Sequence, residues 1–424
     1  MPEATLPEET SPEETSPEAR LGGWAAFRHR DFRLYAVGRF LGGLALQMQN
    51  VALGWFVYDL TRSALALGLV GLATFLPAVA CALVTGHVAD AFDRRLIVTV
   101  ANAVMATASA GLFLIAGGEH PSVAPVYALA VLIGTARAFG NPAGQAMLPT
   151  LVPRALFGNA VAWNASIWQT ASVTGPAVGG LLYALGPKAV FGSVAAAFAL
   201  TAGLTALLTP RPGSGARTRV SWESLAAGFG FIRSRPVILG AISLDLAAVL
   251  LGGATALLPI FAQEVLHVGP LGLGLLRSMP AAGGILMAIL LAHRPLERRA
   301  GARMLWAVAL FGVAIVGFGL STSVAVSMAC LFVAGGADMV SVYVRQTLVQ
   351  GDTPDAMRGR VAAVNTVFIG ASNELGEFES GVVAALVGAV PAAVLGGLGT
   401  ILVAVLWGRL FPALRDRDRL IERT

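Results

Sequence analysis

About a dozen apolar segments, each long enough to cross a bilayer, occupy the chain between residues 34 and 411. A membrane-spanning helix needs about 20 apolar residues for about 30 Å of hydrocarbon. Inside that layer no water satisfies backbone N–H and C=O groups, so each open segment must close its own hydrogen bonds as a helix. With 56% hydrophobic and 12% charged residues in 424, a soluble fold has no way to hide this much apolar surface. The expected spans are 34–58, 65–88, 96–117, 123–147, 158–184, 189–209, 237–263, 271–292, 303–320, 324–348, 360–388 and 391–411.

The basic residues orient these spans, because Lys and Arg stay on the cytoplasmic side. Of 29 Lys and Arg residues, only Arg62 and Lys188 fall on one side, and Arg39, Arg137, Arg277 and Arg345 fall within spans. All others gather on the opposite side, which places both termini in the cytoplasm. The net charge of +5 is thereby explained by the membrane and does not call for nucleic acid. Residues 1–20 are acidic and lack the apolar stretch of a signal peptide; the EETSP repeat within them reads as a disordered tail. Cys81 and Cys330 lie in apolar runs and suggest neither a disulfide nor a metal site.

The longest polar connection, 210–236, divides the spans six and six. Its second part, from Ser221 to Arg233, has the pattern of an amphipathic surface helix. The expected organisation is a tail and lead-in at 1–33, a six-helix bundle at 34–209, the linker, a second bundle at 237–411 and a basic tail at 412–424. Shifting the first half by 201 positions brings Pro153, Gly158, Asn164, Gly175 and Gly180 onto Pro354, Gly359, Asn365, Gly376 and Gly381. Gly134 and Gln145 likewise fall on Gly335 and Gln346. Six is even, so both halves enter from the same side, the pattern of a parallel repeat about an axis normal to the membrane.

Ionisable residues at membrane depth are costly and mark functional sites. Arg137 is one, and the shift places Asp338 at its counterpart, so the two are expected to face one another across a central cavity. Asp245 is another embedded acid. Span eleven carries Glu374 and Glu377, three apart and on one helical face. Asp245, Asp338, Glu374 and Glu377 are therefore candidates for proton coupling, with structural pairing to Arg277 or Arg345 as the alternative. Arg39, Gln47, Asn50, Arg137, Asn164 and Asn365 are candidate cavity residues, and Trp55 and Tyr58 are expected as interfacial anchors.

The loop after span two reads Gly86-His-Val-Ala-Asp90-Ala-Phe-Asp-Arg94-Arg95. It resembles the G-x-x-x-D-[RK]-x-G-[RK]-[RK] signature of the major facilitator superfamily, with Ala91 and Asp93 departing from it. Span five contains Gly175-Pro176-Ala-Val-Gly179-Gly180, similar to the G-P-x-x-G-G motif of the antiporter branch. ESLAAGFGFIRSRP in the linker and DTPDAMRGRV before span eleven resemble the bacterial branch that includes the enterobactin exporter and drug–proton antiporters.

The resemblance implies an all-α membrane protein of twelve helices in two pseudo-symmetric bundles. Gly86, Asp90, Arg94 and Arg95 would form a cytoplasmic gate, and Gly175, Pro176, Gly179 and Gly180 a helix bend. The implied activity is proton-coupled efflux of a small amphipathic molecule, siderophore or drug-like, across the bacterial plasma membrane. Alternatives on this scaffold are a proton symporter or a lysophospholipid flippase, and, from another class, a non-transporting membrane sensor. No Walker A motif, metal-ligand set or nucleophile–base pair stands out. The expected partners are protons, the substrate and lipid; no nucleic acid, cofactor or enzymatic activity is expected, and a monomer is.

Overall fold

A computed structural model describes residues 22–209, 222–296 and 298–420. The first half is built from α1 (Arg30–Thr61), α2 (Ala64–Ala91), α3 (Arg94–Ile115), α4 (Val123–Met147), α5 (Phe157–Ala184) and α6 (Pro187–Ala206). The short α7 (Trp222–Ser234) follows. The second half comprises α8 (Pro236–Leu251) with α9 (Leu258–Ile260), then α10 (Gly269–His293), α11 (Ala300–Leu320), α12 (Val324–Gly351), α13 (Asp355–Val387) and α14 (Ala389–Leu410). A final turn, α15 (Pro412–Arg415), leads into the C-terminal segment. We call the side that carries the chain ends the terminal face.

Among the described residues, ten spans are long and apolar enough to cross a membrane. The two remaining long helices are α5 and α13, of 28 and 33 residues. They fall short on polarity, through Asn164 and Gln169 in one and Glu374 and Glu377 in the other. Their position explains this. The halves meet mainly through α5 against α10 and α2 against α13; Glu374 of α13 reaches Arg137 of the other half, whereas Asn164 of α5 faces Tyr35 of its own half. Apolar side chains cover the outside instead, with Trp306 and Leu386 more than three-quarters exposed.

Local chemistry sets the helix ends. The Ser63 hydroxyl accepts from the Ala66 N–H at 3.3 Å to start α2, and the Asp93 carboxylate caps α3 by accepting from Arg95 N–H at 2.9 Å. One expected span is not a single helix. α8 stops at Gly252-Gly253, continues as a 3-10 turn (Ala254–Leu257) and α9, and ends in a π turn (Phe261–Val265). Pro259 removes one helical donor, and Gly253 is pressed on α13, where a Cβ would lie 2.5 Å from the Gly376 carbonyl. The surface helix α7 docks on the second half by burying Ile232 with Ile238, Val361 and Val364, and by stacking Phe229 on Phe368.

Each half packs in the same pattern: α2 on α4 with α3 on α4 in the first, α10 on α12 with α11 on α12 in the second. Gly134 meets the backbone of Thr74 at the first crossing, and Gly335 meets that of Pro280 at the second. The halves themselves close on two equivalent glycine pairs. A Cβ on Gly381 would stand 2.7 Å from the Gly68 Cα, and one on Gly180 would stand 3.0 Å from the Gly274 Cα. Both crossings lie near the face opposite the termini. Beside them the Tyr58 hydroxyl donates to the Glu264 carboxylate, and Arg62 donates to Gln263 Oε1 at 2.6 Å. The opposite face is thus shut by backbone contact and sealed by polar links.

Overpacking a tight contact costs about 1–3 kcal/mol. Gly381→Val is therefore expected to shift the protein toward opening of this face by about 5- to 150-fold in population, and Gly180→Val to do the same. Distances between spin labels at the α1–α2 and α13–α14 turns measure this. Unchanged distances in both variants would show that the glycine pairs do not govern closure.

Candidate transport cavity and charge network

A cavity of about 480 Å³ opens in the first half, walled by α1, α3, α4, α5 and α6. That is within the size range of small-molecule pockets. Its polar lining includes Arg39, Asn102, Arg137, Gln145, Asn164 and Tyr35. The Tyr35 hydroxyl donates to Asn164 Oδ1 at 2.9 Å, joining α1 to α5. The Arg39 guanidinium lies over the Trp168 ring, 4.6 Å from its centroid. The cavity runs from Tyr35 and Leu148, near the terminal face, inward to Arg137.

At Arg137 the cavity meets the other half. Arg137 Nη2 stands 3.9 Å from Glu374 Oε1, an ion pair that joins α4 to α13. Thr74 Oγ1 of α2 donates to Glu374 Oε2 at 3.5 Å. One turn on, Glu377 faces Arg277 of α10, again at 3.9 Å. Both carboxylates sit on the face of α13 that packs against α2, where Glu377 lies beside Gly71. Two acids from one helix thus answer two arginines from opposite halves, just inside the shut face.

A second cluster is confined to the second half. Arg345 Nη2 pairs with Asp245 Oδ2 at 3.3 Å, and Arg345 Nη1 donates to Asn365 Oδ1 at 3.0 Å. Both charged side chains are almost wholly buried. Asp245 and Asp338 border a void of about 10 Å³ with Ser341, about the size of one water.

The sequence profile of the transmembrane secretion effector family matches residues 21–420. The chain belongs to this family of major facilitators. It is 29% identical to the enterobactin exporter EntS of Citrobacter koseri over 391 residues, covering 91% of this chain and 93% of that protein. It is also 29% identical to EntS of Escherichia coli over 381 residues, covering 89% and 87%. Among solved structures, an inward-facing, occupied bacterial homologue of the human lysosomal transporter Spinster superposes with a TM-score of 0.70 at 15% identity, covering 91% of this chain and 97% of that one. A bacterial homologue of the iron transporter ferroportin gives 0.67 at 16% identity, covering 89% and 98%. The fold is that of the major facilitators, and the protein is a multi-pass membrane transporter.

Within this secretion effector, several residues sit elsewhere than the sequence suggests. Arg137 and Asp338 do not face one another: Arg137 turns to Glu374, and Asp338 stays beside Asp245 in the second half. The repeat aligns their helices, but the halves join through α2·α13 and α5·α10, so α12 offers Arg137 nothing. Gln47, Asn50 and Asn365 are not among the cavity-lining residues. Gln47 Nε2 donates to Ser172 Oγ at 3.5 Å across the α1·α5 crossing, Asn50 lies one turn further toward the shut face, and Asn365 is held by Arg345.

In the gate motif, Gly86 and Asp90 fall on α2, and their side chains lie outside the described residues. Arg94 donates to the Ala146 carbonyl at 2.9 Å, and Arg95 to those of Ala206 and Leu208 at 3.1 and 2.9 Å. Both tie α3 to neighbours in its own half. The Gly175-Pro176-x-x-Gly179-Gly180 stripe lies inside α5, which is one helix from Phe157 to Ala184. Gly175 and Gly179 seat it on α1, and Gly180 seats it on α10. Trp168 was not anticipated, though it stands four residues after Asn164 and so shares its face. Nor was the Tyr58–Glu264 link, since an aromatic residue near a span end reads first as a membrane anchor.

Removing one partner of a buried ion pair costs about 3–5 kcal/mol, because the other charge stays behind. Arg345→Gln is expected to lower the thermal unfolding midpoint in detergent sharply, and adding Asp245→Asn to restore much of it. Equal midpoints for the single variant and the parent would show that the pair does not hold the second half together.

Proposed function

We propose that the protein is a secondary active exporter, driven by inward proton flow, that carries a small amphipathic molecule out of the bacterial cytoplasm. The observation that carries this reading is the Arg137–Glu374 pair: it joins the two halves at the inner end of a cavity whose far face is shut. The distribution of basic residues puts the terminal face in the cytoplasm, which makes this arrangement inward-facing. The relatives named for enterobactin export support the outward direction and a siderophore-like or drug-like cargo.

The pair suggests how a proton does work. Of the two carboxylates of α13, Glu377 pairs with Arg277 inside its own half, whereas Glu374 is held by Arg137 only while the halves are closed on the outer side. A proton on Glu374 removes the charge that Arg137 attracts, so proton binding and the bridged arrangement exclude one another. A ligand shifts a conformational equilibrium only through its differential affinity for the two states. Protons therefore favour the state in which the outer faces have parted, and they leave toward the cytoplasm as the bridge reforms. Rocking of the two bundles around a fixed central site then gives alternating access. In the second half, Asp245 and Asp338 border one small void, with Arg345 paired to Asp245, which makes the two acids a further candidate for a proton-holding position. The energy source is the proton gradient, with no cofactor and a single chain as the working unit.

Glu374→Gln is expected to lower proton-driven efflux from energised vesicles by about 10- to 100-fold, since a hydrogen bond to a charged group contributes about 1.5–3 kcal/mol. Substrate exchange across de-energised membranes should persist. Loss of exchange along with efflux would point to a folding defect, and full efflux would remove Glu374 from the coupling step.

A further inference from the structure

Three span arginines have carboxylates opposite them: Arg137 has Glu374, Arg277 has Glu377 and Arg345 has Asp245. Arg39 differs. Among the described residues no carboxylate lies within ion-pair distance of it, and its Nε is buried with no hydrogen-bond partner. Its contact is the face of Trp168, and both side chains line the cavity. The same walls carry Arg137, which is paired with Glu374 of the other half, and the amides of Asn102 and Asn164; among the described residues no Asp or Glu lines them.

From this geometry we infer that the cavity selects anions, and that Arg39 on Trp168 is the platform that takes a planar anionic group of the cargo. With no carboxylate of the described residues beside it, this guanidinium is free to take its counter-charge from a ligand in the cavity it lines. The guanidinium is planar and presents a fork of N–H donors that matches the two oxygens of a carboxylate. Stacking on Trp168 holds that fork in one plane, so little side-chain freedom remains to be lost on binding. The indole face extends the platform for an aromatic ring, and the Asn164 and Asn102 amides lie within the same walls for polar substituents. A cationic drug would meet the Arg39 guanidinium, beside which no carboxylate lies among the described residues. The inference rests on the transport reading for its biological use, yet it concerns binding alone, so the two can fail separately.

The test uses the full chain in phosphatidylcholine nanodiscs and three probes of one shape: 2-naphthoate, its neutral carboxamide and 2-naphthylmethylammonium. Calorimetry is expected to show naphthoate binding about 10- to 100-fold more tightly than the carboxamide, the gain of a charge-assisted hydrogen-bonded pair. The ammonium probe should bind most weakly. Arg39→Gln should bring naphthoate to within about twofold of the carboxamide while leaving carboxamide binding unchanged. Arg39→Lys, which keeps the charge and loses the planar fork, should fall between. Its thermal midpoint and that of Arg39→Gln, measured alongside, confirm that both variants are folded. Nanodiscs containing phosphatidylglycerol distinguish the source of the anion: competition with naphthoate assigns the site to a lipid headgroup, and its absence to a soluble anion. Equal binding of the three probes, no binding of naphthoate, or an unchanged preference in folded Arg39→Gln would overturn the proposal. Anion-selective binding without proton-driven efflux would leave it standing and overturn the transport mechanism instead.

Discussion

A charge inside hydrocarbon has to be answered, and most of this molecule's internal arrangement follows from that. An arginine at the centre of a span costs at least about 2.5 kcal/mol on insertion scales, so each must find an acid, water or a ligand. The answer given to each arginine differs, and the differences assign the roles. Arg345 is answered within its own half, by Asp245 and Asn365, so that pair does not depend on how the halves meet. Arg137 is answered across the divide, by Glu374, and that pair exists only when the halves are together. Arg39 is answered by an aromatic face at the edge of a cavity.

The face opposite the termini is closed by contact between the halves. Lipid tails offer no hydrophobic drive for helix association, so close packing has to hold the helices together. Backbone-to-backbone crossings at Gly68/Gly381 and Gly180/Gly274 give that close fit, and apolar side chains from both halves, Met48, Leu258 and Leu273 among them, are buried in one cluster. The two pairs are related by the internal repeat. Within each half, Gly134 and Gly335 bring helices into the same close contact, against the backbones of Thr74 and Pro280.

Much of this was legible in the sequence. Twelve spans, two halves and a surface helix follow from apolar length, charge placement and one long polar linker. The repeat was visible because glycines at crossings cannot be replaced without moving a helix. What the sequence could not show is which helices of opposite halves touch. A shift of 201 aligned Arg137 with Asp338, but a charge finds its partner by the crossing it sits beside, and α13, not α12, faces α4. The break in α8 was also hidden: Gly252-Gly253 and Pro259 are common in membrane helices, and only the press of α13 on Gly253 decides that the helix stops there. Trp168 gave no signal because a tryptophan within a span reads as packing until an arginine is found lying on it.

The repeat makes the scaffold symmetric, while the charges make it asymmetric. Had the two halves carried like charges at like positions, each would have built the same cavity. Instead the first half holds two arginines and an open cavity of about 480 Å³, and the second holds two aspartates around a void of about 10 Å³. One half thereby offers room for a small molecule and the other for nothing larger than a water. Glu374 belongs to the second half and reaches Arg137 in the first, so the single point where the two specialisations meet is also the point at which the halves are bound together.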